Sequence, residues 1–304
     1  MIEIEAVSIA APVFRLAQSG PVAGFTHSVF AHTVNLLSGE QLITLADFRG
    51  GNLPYGICCR FEDLNLNNLF QCGASFTLHS SAVSFSPSSL AVGLGSAKTW
   101  QPARPGINTR TVDSWAARLA FFLLSLTSAP ASLPHLSWLA NRLDNAAAVP
   151  HSGENWVLRF AARVAQLIHA VMNNHWPTVE EAAGELLGLG IGLTPSGDDF
   201  LAGFITIGLA LGPRESFERL AWAIAKRAPT STTLVSAAFL RALSQGQLSE
   251  RFGALLAAPD DDSNTLEEAA RNMLAFGSSS GLETMYGLLY GLRAVEGIES
   301  IKTA

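Results

Sequence analysis

Two adjacent carboxylates, Asp198 and Asp199, follow a stretch of glycines and hydroxyls, Gly188-Leu-Gly-Ile-Gly-Leu-Thr-Pro-Ser-Gly197. Behind them, Leu201 to Leu211 carries no charge. An apolar run of that kind reads as a helix buried on every side. Pro195 suits its first turn, where a missing N–H costs nothing, and Thr194 or Ser196 then serves as N-cap. A helix that starts in such a loop offers bare amides and the positive end of its dipole, which together receive phosphate or carboxylate. Gly190, Gly192, Thr194, Ser196 and Gly197 are therefore candidate anion-binding residues, and Asp198 and Asp199 the candidate catalytic pair. Carboxylates repel a phosphate, so they either face away as caps or orient an arginine or a divalent ion. Arg241, Arg271 and Arg293 are the candidate cations, each better explained as a plain salt bridge. A well-capped buried helix without any ligand is the competing reading of the whole stretch.

The chain contains an echo of this helix start. Ser196-Gly-Asp-Asp-Phe-Leu-Ala-Gly203 aligns with Ser280-Gly-Leu-Glu-Thr-Met-Tyr-Gly287, and both open an apolar, glycine-spaced helix. This adds Ser280 and Gly281 to the candidate anion-binding set. Ser-x-x-Asp/Glu is also the spacing of a capping box, which accounts for Ser196, Asp199, Ser280 and Glu283 without a ligand. It leaves Asp198, whose counterpart is Leu282, without a structural duty, and it leaves Gly188, Gly190 and Gly192 unexplained. If the two helices pack as a pair with both N-termini on one side, two anion-receptive ends converge.

Other chemistries find little footing. The seven histidines (27, 32, 79, 135, 151, 169 and 175) show no zinc-ligand spacing, and His27 and His32 fall on opposite faces of a strand. No Gly-x-Ser-x-Gly elbow is present. The glycine run lacks both the third-glycine spacing of a dinucleotide fingerprint and the Lys-Ser/Thr of a P-loop. Asp260-Asp-Asp262 lacks the spaced ligands of an EF-hand and reads as a solvated loop that caps the helix after it. No cofactor and no metal site are expected, apart from a weaker reading in which the Asp pair holds a divalent ion.

The elements that must position these residues divide near residue 105. From Val22 to Trp100 short strand-like runs (Ser28 to Leu37, Gln41 to Leu45, Tyr55 to Arg60, Phe76 to Phe85) are punctuated by Asn, Ser, Gly and Pro every eight to twelve residues. That pattern predicts a β-rich module over 1–105, a small barrel or sandwich. The proline-dense Trp100 to Gly106 links it to helical periodicity over 106–304. Helices are expected over Thr111 to Leu126, Asn155 to Met172, Val179 to Leu187, Ser216 to Arg227, Thr233 to Ser244, Leu248 to Ala257, Thr265 to Phe276 and Leu282 to Val295. The expected class is α+β: a β-rich N-terminal module, then an all-helical domain around a buried central helix.

Composition narrows the partners. Of 304 residues 48% are apolar and only 14% charged, below the roughly 25% usual for globular chains. Such a chain has a large core or hides surface in an oligomer or a complex. A net charge of −6 without a basic run argues against nucleic acid. Cys58, Cys59 and Cys72 match no disulfide framework and read as reduced, buried thiols. Met1 to Ala11 carries Glu3 and Glu5 and lacks a basic segment, and no apolar run spans a bilayer, so a soluble cytoplasmic protein is expected.

Gly-x-Gly-x-Gly-Leu-Thr-Pro-Ser-Gly-Asp-Asp-Phe-Leu-x-Gly resembles the signature of a bacterial family long labelled a domain of unknown function. Gly277-Ser-Ser-Ser-Gly-Leu-Glu283 resembles its second block, and Thr230-Ser-Thr-Thr-Leu-Val-Ser-Ala237 fits its helix start between the two. One branch of the family is the AllH-type subunit of oxamate carbamoyltransferase, in allantoin and purine-nitrogen catabolism. The resemblance implies a three-component assembly that interconverts oxalurate plus phosphate with oxamate plus carbamoyl phosphate, so partner subunits and a small anionic substrate are expected. It carries no residue-level mechanism. Two readings follow: a transferase subunit that contributes the anion-binding loop, or a non-catalytic scaffold or ligand-sensing subunit whose glycine loop only packs helices.

Overall fold

The computed structural model describes residues 2–61, 64–106, 117–119, 122, 156–258 and 262–302. By their contacts the residues divide into two units, Met1–Arg104 with Gln247–Gly253, and Pro105–Gly246 with Ala254–Ala304.

The first unit is a barrel. Its strands are β1 (Ile2–Ala10), β2 (Val22–Val29), β3 (Thr33–Ser38), β4 (Gln41–Asp47), β5 (Gly56–Cys59), β6 (Ser75–Leu78), β7 (Ala82–Ser86), β8 (Leu90–Gly93) and β9 (Lys98–Trp100), with helix α1 (Ala11–Gln18) after β1. They are ordered β5-β4-β3-β2-β6-β7-β8-β1-β9, and an antiparallel β1–β5 pairing closes eight of them into a ring. β1 is long enough to serve three neighbours: Ile2 to Glu5 pair with β8, Ser8 to Ala10 with β9, and Ala6 to Ile9 with β5. The core alternates along the strands, with Ile4, Val34, Leu36, Ile43, Leu45, Ile57, Phe76, Val83 and Val92 inside. Gln247–Gly253 belongs to this unit because Glu250 accepts hydrogen bonds from the backbone and side-chain N–H groups of Asn52, at 2.8 and 2.9 Å.

Two expected strands are hairpins instead. Ser28 to Leu37 breaks at Phe30, whose N–H donates to the Thr33 carbonyl, and the chain reverses from β2 into β3. Phe76 to Phe85 reverses in the same way at His79, from β6 into β7. Of the three cysteines, Cys58 and Cys59 are buried, as expected, but Cys72 is exposed.

The second unit is helical: α2 (Trp156–Met172), α3 (Trp176–Leu186), α4 (Ser196–Leu211), α5 (Arg214–Ser231), α6 (Leu234–Ser244), α8 (Ser263–Leu274) and α9 (Ser280–Lys302), while α7 (Glu250–Ala257) straddles the division. The helix expected over Thr111 to Leu126 lies outside the described residues except 117–119 and 122, as do His135 and His151. Asp262 caps α8, accepting from the N–H groups of Asn264 and Thr265. In α4 only Ala202, Ala210 and Leu211 are part-exposed, which is the burial that its uncharged run calls for. No helix among the described residues is long and apolar enough to cross a membrane.

Candidate functional site

α4 and α9 lie side by side and run the same way, joined by glycines. A Cβ on Gly203 would collide with the Thr284 carbonyl oxygen, and one on Gly287 would collide with that of Phe200. Further along, Gly291 faces Phe204 and Ile207. Contacts this close require the missing side chains, so the glycine spacing sets both the approach and the parallel register. The two helix starts therefore meet at one end: the hydroxyls of Thr194 and Ser280 are 2.7 Å apart. α6 joins them, because the hydroxyl of Thr233, its N-cap, donates to the Leu193 carbonyl.

Each start is seated on the helix before it. Gly197 lies against the carbonyls of Leu186 and Leu189, and its N–H donates to Leu189 at 2.8 Å. Gly281 lies against the Met273 carbonyl, and its N–H donates to Phe276 at 2.9 Å. The amides of Asp198 and Asp199 donate to Pro195, and that of Glu283 to Ser279. Amides that the sequence offered to an anion are thus engaged by backbone carbonyls. The expected caps also move. Pro195 is itself the N-cap residue, with no side-chain cap bond, and Ser196 is already helical, so Ser196 and Asp199 form no capping box.

This frees Asp199 from the duty the spacing assigned to it. Asp199 is 8% exposed and Glu283, from the other start, is 1% exposed. Burial raises the Asp199 pKa well above the usual aspartate range, the Glu283 carboxylate adds to the rise, and the hydroxyls of Ser280 and Thr194 oppose it. Its Oδ2 is buried with no hydrogen-bond partner. The hydroxyl of Ser279 faces Glu283 at 3.4 Å. Two carboxyls from starts 84 positions apart are thus buried beside two hydroxyls.

Asp198 does have a structural duty. Its Oδ1 accepts from the Gly188 N–H at 2.8 Å, and its Oδ2 accepts from the Thr232 hydroxyl. Burial raises its pKa, against the pull of Thr232, Gly188 and Ser236. It fastens the glycine loop to the start of α6.

The remaining loop residues separate into two kinds. Gly188 (φ +71°) and Gly190 (φ +128°) are pressed against Ser231 and Ser196 in backbone conformations that favour glycine. Gly192 (φ +94°) has open space around it, between exposed Ile191 and Leu193. The candidate arginines are elsewhere: Arg271 pairs with Glu267 at 3.5 Å and lies over the Phe122 ring, and Arg241 sits in the last turn of α6. Arg293 lies over the Tyr290 ring, thirteen residues and so roughly 20 Å along α9 from its start. Among the described residues no group of three His, Cys, Asp or Glu could hold a metal ion. Glu283 is the residue whose part in this pocket the sequence did not reveal, although its alignment with Asp199 was the available signal.

Two family models match the chain. Residues 186–292, which hold both helix starts, match the family described as oxamate carbamoyltransferase subunit AllH, and residues 5–99 match the AllH family N-terminal domain. No solved structure matches.

Proposed function

The chain belongs to the AllH family, whose description is that of an oxamate carbamoyltransferase subunit, and on that premise we propose that its converged helix starts form part of the transferase active site. The reaction is the interconversion of oxamate plus carbamoyl phosphate with oxalurate plus phosphate. In the direction of oxalurate, the oxamate nitrogen attacks the carbamoyl carbon, a C–N bond forms, the C–O bond to phosphate breaks, and a proton leaves the nitrogen. Asp199 receives that proton, since burial, with the Glu283 carboxylate beside it, raises its affinity for one. The anionic end falls to Gly190, Gly192 and the hydroxyls of Thr194, Ser196 and Ser280, because the Gly197 and Gly281 amides are engaged. Asp198 holds the loop in place.

The observation that carries this reading is the buried, partnerless Oδ2 of Asp199 beside hydroxyls from two separate helix starts. Exposed Ile191 and Trp222, at 77% and 61%, suit a chain that assembles with other subunits. The test is reconstitution of the complex with Asp199→Asn and assay of carbamoyl phosphate formed from oxalurate and phosphate. A loss of about 100-fold or more in an intact assembly is expected, on the scale of general acid–base catalysis. Undiminished turnover favours the scaffold reading, which has its own support in the glycines at 197, 203, 281 and 287, all accounted for by helix packing.

A further inference from the structure

Asp199 Oδ2 is a buried oxygen without a hydrogen bond, and of the two hydroxyls near the carboxyl, Thr194 and Ser280, one already donates to the other. A ligand carboxylate set against Oδ2 itself is unfavourable, since Glu283 lies beside that oxygen's carboxyl and is itself buried. A ligand N–H relieves both problems: it supplies the missing donor and brings no negative charge to the carboxyls. We infer that Asp199 is a specificity-determining residue that recognises a primary amide, the –NH2 end of a carbamoyl or oxamate-like ligand, while the ligand's anionic end points toward the loop. This rests on the active-site reading above. The oxygen is sealed in the present arrangement, so the ligand enters by displacing 191–194, the stretch that carries exposed Ile191 and Leu193.

The distinction matters because oxamate and oxalate differ only in an amide against a carboxylate. A pocket built to receive N–H rejects the isostere that lacks it, since its buried acceptor is then left unpaired.

The experiment is calorimetry on the assembled complex with oxamate, oxalate and N,N-dimethyloxamate, for the wild type and Asp199→Asn. In the wild type, oxamate is expected to bind about 10- to 100-fold more tightly than either analogue, the worth of a hydrogen bond to a charged group. Asn offers its own N–H and accepts a carboxylate, so Asp199→Asn is expected to erase or invert the oxamate-to-oxalate ratio. The wild-type ligand series needs no variant, so the inference stays open to refutation if Asp199→Asn fails to fold. Equal binding of oxamate and oxalate by the wild type, or a ratio unchanged in a folded Asp199→Asn protein, overturns it. Turnover that persists alongside such a result leaves the transferase reading standing. Amide selectivity that depends on Asp199, in a complex that forms no carbamoyl phosphate, overturns the transferase reading and keeps the inference.

Discussion

The starts of α4 and α9 are two versions of one construction, and their differences separate packing from chemistry. Both place a glycine against carbonyls of the helix before, both donate that glycine's N–H to a loop carbonyl, and both bury an acid three positions after the serine. Those shared features build a parallel helix pair. Only the first start adds Asp198 and an exposed apolar tip, and it has three positive-φ glycines, 188, 190 and 192, where the second has Gly277. Asp198 is a fastener for the added loop, so the longer loop and its fastener are one device. What neither the packing nor the fastener uses is one oxygen, Oδ2 of Asp199, buried without a hydrogen bond.

If the shared glycines are packing, they should fail alike. Gly203→Ala and Gly287→Ala each drive a methyl into a backbone oxygen, and each is expected to cost about 3 kcal/mol, the upper part of the overpacking range. Urea denaturation checks this, and a tolerant Gly287 would break the equivalence. Asp198 sharpens the contrast from the other side. Asp198→Ala strips partners from the Gly188 N–H and the Thr232 hydroxyl and should cost about 2 kcal/mol.

The acids themselves separate by pH. The folded-state pKa of Asp199 is raised, so the folded protein holds that proton longer than the unfolded chain does. Its contribution is complete below the ordinary aspartate pKa and is lost as pH rises through the raised value. Asp199→Asn removes the loss, so its urea midpoint should exceed the wild type's at about pH 8 and converge with it toward about pH 4. The gap should be about 1.4 kcal/mol for every tenfold by which folding tightens the carboxyl's hold on its proton. A midpoint difference that does not change with pH would mean that the carboxyl is not strained by its burial. The smallest effect belongs to the hydrogen bond between the two starts. Thr194→Val or Ser280→Ala should each cost about 1 kcal/mol, and the double variant little more than either, as a double-mutant cycle would show.

Much of this is legible in the chain itself. The eight-to-twelve-residue punctuation points to the β-rich module, and the uncharged run to the buried helix. The alignment of Ser196 with Ser280 leads to the paired helix starts. β1 is equally legible, since Ile2, Ile4 and Ala6 alternate with Glu3 and Glu5. The hairpin at Phe30 is hidden because Ser28 to Leu37 holds neither glycine nor proline at the reversal. The capping box misleads for a tertiary reason: Gly197 lets the helix start dock on Leu186 and Leu189, and the Leu189 carbonyl takes the Gly197 N–H that a side chain would otherwise cap. Asp198's duty depends on Gly188, Thr232 and Ser236, too far along the chain for local spacing to reveal.

Hydrogen exchange on the assembled complex, with and without saturating oxamate, tests most directly whether the two starts form one ligand site. Slowed exchange is expected in two separate peptides together, one covering 187–200 and the other 276–285, with the barrel strands unchanged. Protection confined to the barrel, or in one start without the other, would contradict it.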